Sequence, residues 1–204
     1  MSTRAERVLA TLDNRLGSVA VVAEAVRRRH NVSAILRTCE AFGIHEVHLV
    51  TQGFRPVPGA SRSSERWVDT RIQPTTAASL DDLKARGFRI YVADFLPGAY
   101  TPETVPVDQP LALVFGSEVR GVSAEARERA DGAVLIPMRG LTQSLNVSVS
   151  AAILIRTVAE RRRALVGADL DPAERTRFFD AWAALEGEAA RGRRARTEVV
   201  DGDG

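Results

Sequence analysis

The fold class follows from PLALVFGSEVRGVS, residues Pro110 to Ser123. Its apolar run, 111–115, predicts a buried strand that leads directly into Gly116 and Glu118. A glycine at the carboxyl end of a parallel strand allows a ligand to approach closely, and open α/β sheets bind nucleotides at that edge. The segment lacks both G-x-G-x-x-G and the lysine of a P-loop, which favours a nucleoside without a triphosphate. Glu118 fits two interpretations, binding of a cation or hydroxyl and capping of a helix.

Strands and helices alternate along the rest of the chain, which predicts an α/β domain with a mostly parallel sheet and helices on both faces. Strands are predicted over residues 19–26, 45–50, 67–72, 88–93, 111–115 and 133–136. Helices are predicted over residues 5–16, 33–42, 75–86, 123–130, 145–165 and 172–190. The polar residues 191–204 are predicted to be disordered.

Composition excludes several classes of protein. The 204 residues, 45% hydrophobic and 26% charged, suit one core domain, and no apolar run approaches the roughly 20 residues of a membrane span. Met1 to Arg7 leads into no signal-peptide core, and Cys39 is the single cysteine. His30, His45 and His48 follow no metal-ligand spacing. We therefore expect a cytoplasmic protein without a membrane span, disulfide or metal site.

Arginine supplies almost all of the positive charge, since Lys84 is the sole lysine, although the net charge is only +2. Arginines cluster at 27–29, 161–163 and 191–196. Such clusters can bind phosphate backbones. Codon bias in a GC-rich genome explains the clusters equally well. The clusters alone therefore do not decide between RNA binding and codon bias.

A second segment, RHNVSAILRTCEAFGI from Arg29 to Ile44, places Asn31 just before a predicted helix and Arg37 inside it. Asn31 is predicted to cap the helix, and Gly43 to end it. A helix N-terminus with a nearby arginine can hold a phosphate. The alternative is an ordinary capped helix with a solvated arginine.

A third segment, IPMRGLTQSLNVSVSAA from Ile136 to Ala151, leads from a strand through a glycine-containing loop into the longest predicted helix. Ser144 and Asn146 lie at the start of that helix, where their side chains can cap it or contact a ligand. All three segments lie at the end of a strand or the start of a helix. That shared position favours a common ligand site.

Together, HNVSAILRTCEAFG, LVFGSEVRGVS and IPMRGLTQSLNVSVSAAILI resemble the three signature motifs of the SpoU-TrmH branch of the SPOUT methyltransferases. The resemblance extends over most of residues 1–190. It implies a deep C-terminal trefoil knot, a homodimer and S-adenosyl-L-methionine as the cofactor. The implied cofactor-binding residues are Ala93, Phe115, Gly116, Gly121, Ile136, Met138, Ser144, Leu145 and Asn146.

Within that branch the chain is most similar to tRNA guanosine-18 ribose 2′-O-methyltransferases, because short arginine-bearing helical extensions flank the catalytic domain. The implied boundaries are 1–17 for the N-terminal extension, 18–166 for the methyltransferase domain, 167–190 for the C-terminal extension and 191–204 for the tail. The implied RNA-binding residues are Arg27, Arg28, Arg29, His30, Arg161, Arg162 and Arg163. Methylation of rRNA or of another tRNA position, a non-catalytic RNA-binding protein and a flavodoxin-like nucleotide-binding protein are the alternatives.

The implied catalytic residues are Arg37, Asn31, Glu118, Ser144 and Asn146. A ribose 2′-oxygen is a poor nucleophile until its proton is removed or its developing charge is stabilised. A guanidinium has a pKa above about 12, so we interpret Arg37 as an electrostatic clamp on the hydroxyl and the adjacent phosphate rather than as a base. Asn31 would orient the ribose or Arg37, while the other three would hold the loops of the pocket.

Overall fold

The computed structural model describes residues 3–50 and 64–182. Its contacts divide the chain into two compact units, Leu16–Asp169 on one side and Met1–Arg15 with Leu170–Gly204 on the other. No described helix combines the length and the hydropathy that a bilayer span requires. The predicted domain boundaries stay predictions, and the tail predicted at 191–204 lies outside the described residues.

Six strands form one parallel sheet in the larger unit. They are β1 (Leu16–Glu24), β2 (Ile44–Val50), β3 (Asp69–Gln73), β4 (Arg89–Ala93), β5 (Leu111–Phe115) and β6 (Gly132–Val134). The spatial order is β3-β2-β1-β5-β4-β6, and every neighbouring pair is parallel. All six carboxyl ends therefore lie at one edge, which confirms the predicted α/β class with a mostly parallel sheet.

Several of the helices begin directly after a residue whose side chain caps them. They are α1 (Arg4–Leu12), α2 (Arg29–Ala41), α3 (Thr76–Ala85), α4 (Ala124–Arg129), α5 (Val147–Val166) and α6, described over residues 172–182, with a 3₁₀ turn at Ser64–Trp67. Thr75, Ser123 and Asn146 each accept a hydrogen bond from a backbone N–H of the first turn that follows. These three side chains satisfy donors that a helix start otherwise leaves free.

The sheet is buried on both faces, because alternate residues of its central strands enter different hydrophobic clusters. In β1, Val19 and Val21 belong to the cluster with α2 and α5, whereas Ala20 and Val22 belong to the cluster with α3 and α4. Strand β5 alternates in the same way. This period of two confirms the expectation of helices on both faces and explains why both strands are continuous apolar runs.

The start of α2 differs from the prediction. The helix begins at Arg29 with Arg28 at the cap position, so Asn31 lies inside the first turn and does not cap it. The side chain of Arg28 makes no capping hydrogen bond to this helix. Glu118 accepts hydrogen bonds from the backbone N–H groups of Arg27 and Arg28 instead. The N-cap prediction for Asn31 was wrong, because the helix begins two residues earlier and the Asn31 side chain is bound to Glu118 and Asn146.

Several other bounds also differ from those predicted. Strand β1 runs from Leu16 to Glu24 rather than over 19–26, β3 runs from Asp69 to Gln73 rather than over 67–72, and β6 ends at Val134 rather than Ile136. Helix α1 ends at Leu12 rather than at residue 16, which begins β1. Residues 135 and 136 leave the sheet and enter the loop that precedes α5. The predicted trefoil knot stays a prediction.

In the smaller unit, the two terminal helices carry complementary side chains. Arg175 Nε lies 2.6 Å from Asp13 Oδ1, and the guanidinium of Arg15 lies 5.5 Å from the ring centre of Trp182. Phe178 and Trp182 are buried and meet edge to face at 5.9 Å. Residues 183–190 of the predicted helix lie outside the described residues.

Candidate active site

A pocket of about 260 Å³ opens at the carboxyl ends of β4, β5 and β6, where it meets the start of α5. Ligand sites of open α/β sheets lie at this edge. Its lining residues are Ala93, Asp94, Phe95, Phe115, Gly116, Gly121, Val134, Leu135, Ile136, Met138, Gln143, Ser144, Leu145, Val147, Ser150 and Leu154. This described lining includes one acid, Asp94, and no lysine, arginine or histidine.

One wall of the pocket is bare backbone, built by Gly116 and Gly121. Ser117 and Gly121 exchange backbone hydrogen bonds of 3.0 and 2.9 Å, which close a tight turn after β5. A Cβ atom on Gly116 would lie 2.1 Å from the carbonyl carbon of Gly121, and Gly121 itself has φ of 65°. A side chain at Gly116 would require the backbone to move, and one at Gly121 would be strained by the positive φ. The glycine after the strand thus permits one loop segment to approach another beside the pocket.

Eight of the nine residues expected to bind the cofactor line this pocket. The exception is Asn146, whose Oδ1 accepts hydrogen bonds from Ser148 N at 2.8 Å and Ser148 Oγ at 2.7 Å. It therefore caps α5 rather than facing the cavity. The sequence missed eight lining residues, Asp94, Phe95, Val134, Leu135, Gln143, Val147, Ser150 and Leu154. Seven of them lie within two positions or one helical turn of a predicted residue, and Leu154 lies one turn beyond Ser150 on α5, so proximity to the predicted residues is the signal that could have found them.

Three of the expected catalytic residues form a hydrogen-bonded chain. Asn146 Nδ2 donates to Asn31 Oδ1 at 3.2 Å, and Asn31 Nδ2 donates to Glu118 Oε1 at 2.8 Å. Asn31 is buried, with 1% of its surface exposed. The chain joins the start of α5, the start of α2 and the loop after β5 on one side of the pocket.

The environment of Glu118 favours its charged form. Partial burial raises the pKa of this carboxyl, but hydrogen bonds from Asn31 and from backbone N–H groups, including those of Arg27 and Arg28, lower it by more. The net pKa lies below the ordinary value. Glu118 is therefore a carboxylate at neutral pH that acts as an acceptor, in line with its helix-capping interpretation.

The other two expected catalytic residues occupy different positions. Ser144 lines the pocket and is exposed at its mouth. Arg37 is exposed on α2, and within the described residues it belongs neither to the pocket lining nor to the hydrogen-bonded chain. Four of the five expected catalytic residues thus lie beside the pocket at the carboxyl edge of the sheet, whereas Arg37 lies on the exposed surface of α2.

The two described arginine clusters differ in exposure. Arg27, Arg28, Arg29 and His30 are all exposed at the start of α2, next to Glu118. Arg162 is buried, with 6% exposed, and it donates to Ser18 Oγ and Val107 O. The prediction that Arg162 contacts RNA was wrong, because its guanidinium ties α5 to the sheet.

Its neighbours also bind the protein itself. Arg161 donates to the carbonyl oxygens of Pro102 and Val105, at 2.9 and 2.8 Å, and Arg163 donates to that of Phe42, at 3.1 Å. Both are half-buried. In this conformation the cluster at 161–163 is structural, and the exposed cluster at the start of α2 remains available for phosphates.

The sequence analysis missed Glu24, a buried carboxylate at the carboxyl end of β1. Its Oε1 accepts hydrogen bonds from Thr76 Oγ1 at 2.6 Å and Ser123 Oγ at 2.5 Å, and its Oε2 accepts one from Ser123 N at 2.9 Å. It therefore fixes the segment that follows the pocket turn to the sheet. A charged residue that ends an apolar strand run is the signal that could have revealed it.

A second buried carboxylate, Glu46, lies among cations on β2. Arg86 binds both of its oxygens at 2.6 Å, and His48 Nε2 and Arg71 Nη1 lie 2.6 and 3.0 Å from Oε1. Burial raises the pKa of Glu46, but these partners outweigh it and lower the pKa to about 2. Glu46, His48 and Asp82 bring ligand-type atoms together. We interpret them as an ion-pair network, because the carboxylate is already bound to arginines.

The fold and the pocket define a class of α/β protein with a ligand-sized pocket at the carboxyl edge of a parallel sheet. The chain belongs to the SpoU rRNA Methylase family, whose model matches residues 18–156. The tRNA (guanosine(18)-2'-O)-methyltransferase of Thermus thermophilus is 41% identical over 166 residues, which are 80% of this chain and 85% of that protein. The protein of the same name from Escherichia coli is 35% identical over 79% of this chain and 71% of its own length.

A solved structure gives the same fold over nearly the whole chain. The crystal structure of the A. aeolicus TrmH/SpoU tRNA modifying enzyme superposes with a TM-score of 0.79 at 31% identity. The superposition covers 90% of this chain and 96% of that one. The resemblance inferred from the three sequence segments is thereby confirmed at the level of the family.

Proposed function

We propose that this protein transfers a methyl group from S-adenosyl-L-methionine to the ribose 2′-oxygen of the D-loop guanosine at tRNA position 18. The observation that carries this proposal is the chain from Glu118 through Asn31 to Asn146, which joins the pocket wall to the exposed arginines of α2. The names of the relatives in Thermus thermophilus and Escherichia coli support guanosine 18 in particular.

The lining of the pocket suits the proposed cofactor. Phe115, Ile136 and Leu154 offer apolar surface for an adenine ring, and the backbone near Gly116 offers polar groups to a ribose. A pocket without a cationic side chain in its described lining favours a ligand without phosphates, and this argues against a flavin or dinucleotide. When bound, S-adenosyl-L-methionine supplies an electrophilic methyl group. Ala93, Met138 and the loop 143–145 would hold its remaining parts.

The protein's own contribution to the reaction is electrostatic and positional. Because a guanidinium is a permanent cation in proteins, Arg37 would stabilise the negative charge that develops on the 2′-oxygen and hold the adjacent phosphate. The hydrogen bond between Asn31 and Asn146 anchors the start of α2, the helix that carries Arg37. The exposure of Arg37 supports contact with a substrate that arrives from solvent.

The tRNA would bind across the start of α2. Arg27, Arg28, Arg29 and His30 form an exposed patch there, and their side chains can contact successive phosphates. Glu118 holds the backbone beneath them, which limits the ordering cost of binding. The shape of folded RNA would then place one ribose at the pocket.

We further propose a homodimer in the cytoplasm, without a metal ion. The exposed Val149 and Ile153 on α5 support dimerisation, because residues four positions apart form one apolar stripe on a helix. Sedimentation of the purified full chain measures this assembly directly. A monomer at micromolar concentration would contradict the dimer.

The experiment that tests the proposed function maps methylated riboses by mass spectrometry in RNA from a deletion strain and its parent. We expect methylation at guanosine 18 of tRNA to disappear in the deletion strain and to return with the purified protein and the cofactor. Loss of methylation at an rRNA site or at another tRNA position instead would contradict guanosine 18 as the target and identify that site as the substrate. No loss at all would favour a non-catalytic RNA-binding protein.

A further inference from the structure

An aromatic ring stands in solvent at the edge of the pocket. Phe95 lines the pocket, yet 82% of its surface is exposed. Among the described residues, the one other aromatic side chain with large exposure is Tyr100, at 37%, and it meets Tyr91 edge to face at 6.0 Å. Phe115, the second phenyl ring of the lining, is buried. Exposure of a phenyl ring without a partner forgoes the free energy of burial, which points to a ligand that covers it.

The segment that carries Phe95 is held in place on both sides. Asp94 Oδ1 accepts the backbone N–H of Phe95 at 2.8 Å, and Arg127 Nε donates to Asp94 Oδ2 at 2.5 Å. The following residues, Leu96 and Ala99, pack against the cluster that includes α3 and α4. The backbone that carries the ring is therefore held by its neighbours, which reduces the ordering cost of a contact.

We propose that Phe95 stacks on the base of the nucleotide whose ribose is methylated. This inference rests on the proposed function. A nucleotide in folded RNA must leave its own stack before its ribose can enter a pocket, and an aromatic side chain can restore part of the lost stacking. The cofactor is a less suitable partner, because the ring faces solvent at the rim, whereas the buried Phe115 already lies within the pocket.

The first test compares three substitutions at this position. Phe95→Ala should weaken tRNA binding, measured with S-adenosylhomocysteine present, by roughly 5- to 150-fold, which is the range expected for one base stacked on an aromatic ring. Phe95→Leu should weaken tRNA binding nearly as much, because leucine keeps apolar area but has no π face. Phe95→Trp should bind at least as tightly as the natural protein. Ile72→Ala, which removes an exposed apolar side chain from β3 at the opposite edge of the sheet, should change nothing.

The second test removes the base instead of the ring. The target nucleotide of a synthetic tRNA is replaced by an abasic one, and binding is measured with the natural protein and with Phe95→Ala. We expect the natural protein to bind the abasic RNA more weakly than the intact RNA. Phe95→Ala should bind both RNAs equally, because the contact between ring and base is already missing in this variant. Independent losses in the two proteins would overturn the proposal.

Affinity for S-adenosylhomocysteine, measured by calorimetry, separates the cofactor from the RNA. It should be the same in Phe95→Ala and in the natural protein. A tenfold loss would show that the ring covers the cofactor, and unchanged tRNA binding would show that it contacts neither. Either result overturns the inference, whereas failure of the natural protein to methylate tRNA overturns the proposed function and the inference with it.

Discussion

Asn31 and Asn146 share a hydrogen bond of 3.2 Å although 115 positions separate them. Both functional groups of the Asn31 amide are bound, since its oxygen accepts from Asn146 and its nitrogen donates to Glu118. Asn146 also caps α5. One buried amide therefore couples the starts of two helices to the loop after β5, and its replacement should affect both stability and turnover.

We expect Asn31→Asp to destabilise the protein by about 1–3 kcal/mol at pH 7, the cost of a buried polar group that loses its partner. The substitution removes the donor that faces Glu118 and places two carboxylates together, so the pKa of Glu118 should rise. Urea unfolding measures the change in the free energy of unfolding. The double variant Asn31→Asp with Glu118→Gln should recover part of it, because the new amide can donate to the aspartate. Strict additivity of the two substitutions would contradict a direct contact.

Arg37→Ala should lower the rate of methyl transfer by at least about 100-fold, as expected when an electrostatic contact to the reacting oxygen is lost. Affinity for S-adenosylhomocysteine should stay unchanged, because Arg37 does not belong to the described lining of the pocket. Single-turnover transfer of a tritiated methyl group and calorimetry measure the two quantities. Lys84→Ala, on the partly exposed surface of α3, is the control for loss of a cation. Full turnover in Arg37→Ala would exclude the proposed role.

Replacement of Arg27, Arg28 and Arg29 by alanine should weaken tRNA binding and flatten its dependence on salt. Each lost phosphate contact lowers the slope of log K against log salt concentration by about 0.7–0.9, so the slope should fall by up to about 2–3. Filter binding over a range of potassium chloride concentrations measures it. Arg89→Ala is the control for loss of one cation, since Arg89 is exposed but begins β4 at the amino edge of the sheet. If the slope falls as much per arginine in both proteins, the change is a general charge effect and the proposed contact is wrong.

Acid should remove the contribution of Glu46 to stability. Its pKa is about 2 in the folded protein against an ordinary 4.5, so the stabilisation is fully present above about pH 4.5 and is lost as the pH falls toward 2. The shift corresponds to about 3 kcal/mol at neutral pH. Urea unfolding between pH 3 and 6 should show a steeper loss in the natural protein than in Glu46→Gln, which cannot titrate. Parallel curves would contradict the lowered pKa.

The parts of the fold that the sequence predicted well are those specified locally. Apolar runs predicted β5 and the other central strands, and the two helices predicted to begin at residues 75 and 123 begin directly after Thr75 and Ser123, which cap them. The hydrogen bond from Arg162 to Ser18 spans 144 positions, whereas the resemblance implied that this arginine binds RNA. Periodicity describes one element at a time, so it could not show which neighbour receives a side chain.

The same limit applies to the candidate site. The three segments identified most of the pocket because each ends a strand or begins a helix, where parallel topology brings residues together. Phe95 was missed because a phenylalanine directly after a strand is usually expected to be buried in the core. Only the tertiary structure shows that this ring lies in solvent. Glu118 appeared as a possible cap, but the sequence could not indicate that it serves α2 from 90 positions away.

Ala25→Gly should stabilise the protein. Ala25 has φ of 51°, in the left-handed region that costs a residue with a Cβ atom about 1–2 kcal/mol, and it lies between β1 and the arginine patch. Glycine relieves that strain but adds about 0.5–1 kcal/mol of backbone entropy to the unfolded chain, so we expect a net gain of about 0.5–1 kcal/mol. The same substitution at the exposed Ala41, at the end of α2, should instead lower the free energy of unfolding by up to about 1 kcal/mol. Equal destabilisation of both variants in urea would show that the backbone at Ala25 is unstrained.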